Sequence, residues 1–237
     1  MNKLLWKPVI EIQEDGRYFL FLSPASLRLV IAPFVNASIL LVGNQLSSSL
    51  TIEVMEHACF CLQIVGVDTH HQVRISLEGE EAKFTLVYSG ICCKEQSFQA
   101  KVYHLKPHTS SSLVNHVINL GKEDCLIQVD AYVPKKIKGC VLQQDNKIIP
   151  LKDGRGTILP NLYIEEFDSF AQHSAYIAKF SKDALFYLRT RGLPEETAQF
   201  LLMKAFLLGN MKLEKEEEQI IMEILKLGGE ENESRRF

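Results

Sequence analysis

Residues 173–206 read HSAYIAKFSKDALFYLRTRGLPEETAQFLLMKAF, and the texture of the chain changes inside this stretch. Before it lies strand after strand; after it lie helices. Ser181 is a suitable N-cap, and Lys182 to about Thr190 reads as a short helix. Gly192 suits the left-handed position past its end. Pro194 opens a second helix, followed by Glu195 and Glu196 at the positive end of its dipole. That helix runs to Leu208 and closes at Gly209-Asn210. A third is expected over Leu213–Leu227, closed by Gly228-Gly229, and the tail GEENESRRF is expected to be disordered.

Working back from His173, the expected strands are short and rich in Val, Ile, Leu and aromatics. They are Val9–Gln13, Tyr18–Leu22, Leu27–Ile31, Ala37–Val42, Leu50–Met55, Phe60–Val65, Val73–Leu77, Lys83–Tyr88, Phe98–Leu105, Leu113–Leu120 and Leu126–Val133. In Gln72-Val73-Arg74-Ile75-Ser76-Leu77 the apolar residues fall on one face, so one face is buried and the other solvated. No long helical period interrupts residues 9–180, which excludes a doubly wound α/β fold. A sandwich, a barrel and a β-solenoid all remain open, and no strict repeat singles out the solenoid.

The second helix carries Phe200, Leu201, Leu202, Met203, Ala205, Phe206, Leu207 and Leu208 around most of its circumference. A surface helix keeps one polar face, so this one either caps the strand region or docks into a partner. The neighbouring Phe186-Tyr187-Leu188-Arg189 run holds residue types enriched at interface hot spots.

The 237 residues carry a net charge of −3, with 46% hydrophobic and 23% charged residues. That balance argues against a nucleic acid or an anionic membrane held by bulk charge. No apolar run approaches the ~20 residues of a membrane helix, and the N-terminus lacks a signal-peptide core and cleavage site. A cytoplasmic location is expected. The six cysteines, Cys59, Cys61, Cys92, Cys93, Cys125 and Cys140, form no CxxC and no zinc spacing, and are expected to be reduced thiols. No G-x-x-x-x-G-K-[ST] loop is present, so the chain is not itself a P-loop ATPase. Acidic residues cluster in turns and helices (Glu78–Glu81, Glu214–Glu218), not along an exposed strand face as a β-helical glycosidase requires. No Ser-His-Asp or Cys-His spacing can be read either, and no enzymatic activity is expected.

Several segments together are similar to one family. His173, Ala175, the run Ala184-Leu185-Phe186-Tyr187-Leu188-Arg189-Thr190-Arg191-Gly192 and Glu195-Glu196-Thr197-Ala198 resemble the C-terminal signature of the SufB/SufD family, scaffold proteins of iron–sulfur cluster assembly. Pro160-Asn161-Leu162-Tyr163-Ile164 resembles its P-x-L-x-I element. Leu77-Glu78-Gly79-Glu80-Glu81-Ala82 resembles its L-x-G-x-x-A turn, and His104, Thr109 and Ser111 its H…T-x-S segment. The likeness is strong over residues 160–207, weaker over 77–159 and one of texture over 1–76.

The resemblance implies a mainly β fold: a right-handed parallel β-helix over residues 1–180 and a small helical domain over 181–228 that binds the family's ABC-type ATPase, SufC. It implies partner-binding roles for Phe186, Tyr187, Arg189, Arg191, Gly192, Phe200 and Phe206. It also implies a metal role for His173, as an iron or cluster ligand at an interface with a SufB-like subunit or a second copy. Histidine is suited to both iron and protons. Iron or an iron–sulfur cluster is implied as a transient guest, none bound tightly. The sequence departs from the family where Ala171 replaces a cysteine, Ser174 a glycine and Tyr163 a glutamate. The chain also begins almost directly in strands. These departures point to a shortened SufD-like member supporting assembly or iron delivery. The competing expectation is an accessory metallochaperone of another maturation pathway, of the urease-accessory type.

Overall fold

The computed structural model describes residues 2–4, 7–22, 26–151 and 153–230. Fifteen strands run in order: β1 (Asn2–Lys3), β2 (Val9–Ile12), β3 (Gly16–Phe21), β4 (Ser26–Ile31), β5 (Asn36–Asn44), β6 (Ser47–Val54), β7 (Cys59–Val67), β8 (His70–Leu77), β9 (Lys83–Cys92), β10 (Gln96–His104), β11 (Ser110–Asn119), β12 (Asp124–Val133), β13 (Cys140–Pro150), β14 (Arg155–Ile164) and β15 (Ser169–Ile177). Three helices follow: α1 (Lys182–Thr190), α2 (Glu195–Leu208) and α3 (Lys215–Glu230).

Odd strands form one sheet, β1-β3-β5-β7-β9-β11-β13-β15, and even strands the other, β2 through β14. Neighbours in both sheets pair in parallel. A chain that alternates between two parallel sheets in this way is a β-solenoid, here of about 6 turns. Of the three open architectures, the solenoid is the one formed.

Its repeat is hidden because the turns lengthen. Leu20, Leu41, Ile64, Tyr88, Asn115, Asn146 and Ala175 stack in one column of the odd sheet. The steps between them are 21, 23, 24, 27, 31 and 29 residues. The corners after β4, β6, β8, β10 and β12 keep the repeat instead. Phe34, His57, Glu81, His108 and Lys136 hold left-handed backbones with φ of 63°, 55°, 56°, 58° and 71°. The first four donate their N–H to the corner of the next turn, as Phe34 does to the Glu56 carbonyl at 2.9 Å and His57 to that of Glu80 at 2.9 Å. A buried small or branched residue follows: Val35, Ala58, Ala82 and Thr109. The L-x-G-x-x-A turn is one of these corners. At Gly79 any Cβ would lie 1.9 Å from the Glu56 nitrogen, so the close approach of two turns demands glycine there.

Left-handed backbone costs an L-residue about 1–2 kcal/mol, and glycine regains part of that after its larger unfolded-state entropy is counted. Lys136 is exposed, and its N–H bonds to Glu166 without using the lysine side chain. Lys136→Gly is therefore expected to raise the melting temperature by about 1–2 °C, checked by calorimetry.

The lumen between the sheets is the main core, filled by Leu29, Ile52, Ile75, Val102 and Ala131 from the even sheet against Ile39, Leu62, Leu86, Leu113 and Leu142 from the odd. A second apolar cluster lies on the outer face of the odd sheet. There Phe19, Leu40, Val42, Val65, Val67, Ile91, Ile118 and Ile149 meet Met203, Leu207 and Leu208 of α2 and Ile221 of α3. Middle strands of this sheet are consequently buried on both faces, and β9 reads as a near-continuous buried run.

α3 differs from its expected bounds: it starts at Lys215 and continues through Gly228 and Gly229 to Glu230. Two glycines lower helix propensity but keep their N–H groups, so they need not end a helix as proline would. Residues 231–237, within the tail expected to be disordered, lie outside the described residues.

Candidate functional site

α1 and α2 meet at a corner built as the sequence predicts. The Ser181 side chain caps the Ala184 N–H of α1 at 3.4 Å. Gly192 follows with φ +86°, in open space. Arg189 pairs with Glu195 across the corner at 3.1 Å. The Arg191 guanidinium lies 5.1 Å from the centre of the Tyr187 ring and bonds its hydroxyl at 3.2 Å. Both arginines thus brace the corner beside the aromatic residues.

α1 contributes no buried residue. Phe186 is 69% exposed, Tyr187 56%, Phe200 41% and Leu201 39%. These side chains leave the α1–α2 pair with large apolar groups in water. A groove of about 240 Å³ opens beside it, lined by Leu151, Phe180, Leu185 and Leu202 with Lys179 and Lys182.

Phe206 sits elsewhere. It is half-buried and stacks on His116 of β11, with ring centres 4.5 Å apart and planes 7° apart. The unusual apolar circumference of α2 is thereby explained twice over: Met203, Leu207 and Leu208 cover the sheet, while Phe200 and Leu201 face out.

The carboxyl end of α2 is held by side chains from the sheet. Helix ends leave their last carbonyls without partners in the helix. Here His116 Nδ1 donates to the Phe206 carbonyl at 2.8 Å, and Ser89 Oγ to the Leu207 carbonyl at 2.5 Å. His116 Nε2 faces Asp145 of β13 at 3.5 Å. Asp145 also accepts from Lys147 at 2.7 Å and from Ser174 of β15 at 2.6 Å. Burial pushes His116 below the ordinary imidazole value, although the Phe206 carbonyl and Asp145 pull the other way. Burial alone would raise Asp145, but Lys147 and Ser174 hold its carboxyl below the usual range. Sequence reasoning missed His116 and Asp145, because a lone polar residue in a strand carries no signal until register places its neighbours.

His173 lies on β15, the last strand of its sheet, and is exposed. It pairs in register with Gln144. A shallow groove crosses β11, β13 and β15 beside it, lined by Ser112, Val114, Gln143, Asp145, Gln172 and Ser174 among others. Among the described residues no three His, Cys, Asp or Glu side chains converge to hold a metal. One imidazole does not make a resident metal or cluster site.

The cysteines behave as thiols. Cys92, Cys125 and Cys140 are buried, Cys61 and Cys93 half-buried and Cys59 exposed, with no disulfide among them. The Cys125 hydrogen bond and burial push Cys92 up, and burial likewise raises Cys61 and Cys140. A raised thiol is a poor nucleophile and a poor ligand at neutral pH. His104 is structural as well: Thr109 and Ser111 hydroxyls bond its two nitrogens at 2.8 and 2.9 Å inside a corner. No helix among the described residues is long and apolar enough to cross a membrane.

Comparison with known proteins agrees with this geometry. A segment is 29% identical over 135 residues to the iron–sulfur cluster assembly protein SufB of Bacillus subtilis (strain 168), covering 55% of this chain and 29% of that protein. The same identity and coverage hold for an iron–sulfur cluster assembly SufBD family protein of Staphylococcus epidermidis (strain ATCC 12228 / FDA PCI 1200) and for one of Staphylococcus aureus (strain USA300). The match thus spans less than a third of the length of these curated relatives. Residues 54–206, from the third turn of the solenoid to the stacked Phe206, match the family model described as SUF system FeS cluster assembly, SufBD core domain, and the chain belongs to the SufBD family of iron–sulfur cluster assembly proteins.

Proposed function

We propose that this chain is a non-catalytic scaffold subunit of a SufBCD-type assembly complex. Its α1–α2 face docks a SufC-like ABC ATPase in the cytoplasm. Its last turn meets a SufB-like subunit or a second copy, and iron or a nascent cluster passes as cargo at His173. The observation that carries the reading is the exposure of Phe186 and Tyr187 on α1 and of Phe200 and Leu201 on α2, large apolar side chains left uncovered on a helix pair whose second member packs on the solenoid. Aromatic residues so placed supply the burial of an interface centre, and Arg189 and Arg191 supply its polar border. The edge strands at the last turn, β14 and β15, carry backbone groups open to pairing on one side, which supports the contact with another solenoid.

The test is anaerobic capture of the tagged chain from its native host, with recovered proteins identified by mass spectrometry. An ABC-type ATPase and a SufB-like protein are expected. Phe186→Ala with Tyr187→Ala should cut ATPase recovery at least about tenfold, since a hot-spot aromatic is worth ~2 kcal/mol or more. The melting temperature should stay within a degree or two, because neither ring is buried in this chain. Recovery of the folded chain without an ATPase would overturn the reading.

A further inference from the structure

Three tyrosines form a ladder on the outer face of the even sheet. Tyr103 of β10, Tyr132 of β12 and Tyr163 of β14 are register partners. Their rings stack with centres 4.8 and 4.6 Å apart and planes 7° and 6° apart. Arg74 of β8 closes one end: its guanidinium lies 4.2 Å from the centre of the Tyr103 ring and bonds the hydroxyl at 3.2 Å. The other end is open. β14 is the edge of the sheet, so no strand of this sheet lies beyond Tyr163, which is 48% exposed. Tyr163 replaces the glutamate of the resembled P-x-L-x-I element, so the open ring is this chain's own feature.

The backbone of β14 fixes how a further strand can join. The Glu165 N–H points back to the Val133 carbonyl of β12. Along a parallel strand each residue turns its N–H and C=O to the same neighbour, and successive residues alternate. Odd-numbered residues of β14 therefore face β12, and Gly156, Ile158, Pro160, Leu162 and Ile164 face the open edge. Pro160, which has no N–H, sits where its own sheet loses no bond. An antiparallel copy of the same strand matches this edge when the two-fold axis passes through Leu159. Arg155 then lies opposite the copy's Tyr163, Thr157 opposite Asn161 and Leu159 opposite itself, all on the outer face. Gly156 with Leu162, and Ile158 with Pro160, make the hydrogen-bonded pairs, complete but for the bonds that proline cannot donate. An axis at Pro160 would set two prolines against each other, and an axis at Ile158 would set Tyr163 against Asp153, outside the strand. Side chains directly opposite lie ~4.5–5.5 Å apart, so Arg155 reaches the open ring and repeats there the contact that Arg74 makes at the first end. Arg155 holds Asp124 at 3.0 Å within the chain, but with side chains 79% and 63% exposed that pair is weak and holds the guanidinium loosely.

We propose that β14 is a self-pairing edge: two copies of this chain join antiparallel through it, with Leu159 on the axis and Arg155 of each capping Tyr163 of the other. The inference rests on the reading that the last turn meets another solenoid. It names that solenoid as a second copy, because one strand supplies both halves of the match.

The experiment uses the full-length chain, with sedimentation equilibrium to read the dimer and cross-linking to read its register. A dimer is expected at micromolar concentration. Leu159→Cys should form a disulfide between copies in glutathione disulfide, above the wild-type background, because a non-hydrogen-bonded antiparallel pair brings its Cα atoms to ~4.5 Å. Thr157→Cys should not, because the two copies of residue 157 lie ~13 Å apart along the strands. Tyr163→Ala, which removes both caps, should weaken the dimer about tenfold. Arg155→Tyr with Tyr163→Arg exchanges the partners and keeps the pair, so it should restore the dimer, which a merely structural role of Tyr163 would not allow. A chain that stays monomeric, or a dimer whose Leu159→Cys variant does not cross-link, overturns the inference. Capture of a SufB-like protein by a monomeric chain overturns it too, and leaves the scaffold reading standing. A cross-linked dimer that recovers neither an ABC-type ATPase nor a SufB-like protein upholds the self-pairing and overturns only the scaffold reading.

Discussion

Arg17→Met is expected to destabilise the fold by about 3–5 kcal/mol, more than any other single substitution argued for this chain. Glu217 is fully buried at the start of α3, and Arg17 on β3 grips it through two guanidinium nitrogens, Nε to Oε1 at 2.7 Å and Nη2 to Oε2. Arg17 Nη2 also donates to the Lys212 carbonyl. Glu217 accepts the Glu214 N–H at 2.8 Å, the reach of a third-position glutamate back to the residue that precedes its helix. Gln63 of β7 holds Lys212 from below, accepting its N–H at 3.1 Å and donating to its carbonyl at 3.3 Å. The whole entry to α3 is therefore fixed by polar contacts to the sheet.

The expected loss is asymmetric. Removing Arg17 strands a carboxylate with no exposure, whereas Glu217→Leu leaves an arginine side chain that is 24% exposed and can turn to water. The single leucine variant should cost about 1–2 kcal/mol, and the double variant Arg17→Met with Glu217→Leu should recover most of the loss, since apolar replacement of a buried pair is often near neutral. Urea denaturation of the four proteins measures this cycle. Equal losses for both single variants would show that Glu217 is solvated and the pair is an ordinary surface bridge. Native-state hydrogen exchange should place the first opening at α3 and the 209–214 connection, which the clamp holds.

The clamp also bears on the proposed docking. α2 and α3 are anchored by the Arg17–Glu217 pair, by Gln63 and by His116, while α1 buries nothing of its own. A rigid base with an uncovered aromatic arm loses little side-chain freedom on binding, which favours affinity over a face that must first be ordered.

Much of this was legible in the chain, and the failures have physical causes. The eleven strands expected from the sequence all form, because one-face alternation such as Val73, Ile75 and Leu77 follows directly from a half-buried pleat. The solenoid was not separable from a sandwich, since successive turns differ by up to several residues and defeat a search for a fixed period. Its corners did carry the signal: Glu56-His57-Ala58-Cys59-Phe60 and Glu80-Glu81-Ala82-Lys83-Phe84 are one corner repeated a turn later. Non-glycine residues in left-handed positions concealed it. The helical corner was read correctly from Ser181 and Gly192, whose roles are local. His116 and Asp145 were invisible because their meaning is set by register across strands, which local pattern does not encode.

Acidification from neutral pH to about pH 4 is expected to remove roughly 6 kcal/mol of stability, half from each of two lumen histidines. His71 and His104 are both fully buried. Burial pushes His71 down to about 4, helped by the neighbouring His70, and burial does the same to His104. The hydrogen bonds of both rings suit their neutral form: Ser48 meets His71 Nδ1 at 2.7 Å, and two hydroxyls meet His104. In the unfolded chain both titrate near 6.5. Between pH 6.5 and 4 the unfolded state therefore binds more protons than the folded one, so stability falls as pH falls through that window and is fully present above it. A depression of this size corresponds to about 3 kcal/mol per histidine. Against a total of ~5–15 kcal/mol for an ordinary domain, that brings the chain close to unfolding near pH 4. Urea midpoints measured from pH 7 to pH 4 give the slope, and His71→Gln should reduce it by about half whatever that variant does at neutral pH. A flat profile between pH 6.5 and 4.5 would mean that water reaches these rings, and that the lumen is not the dry core that holds the turns together.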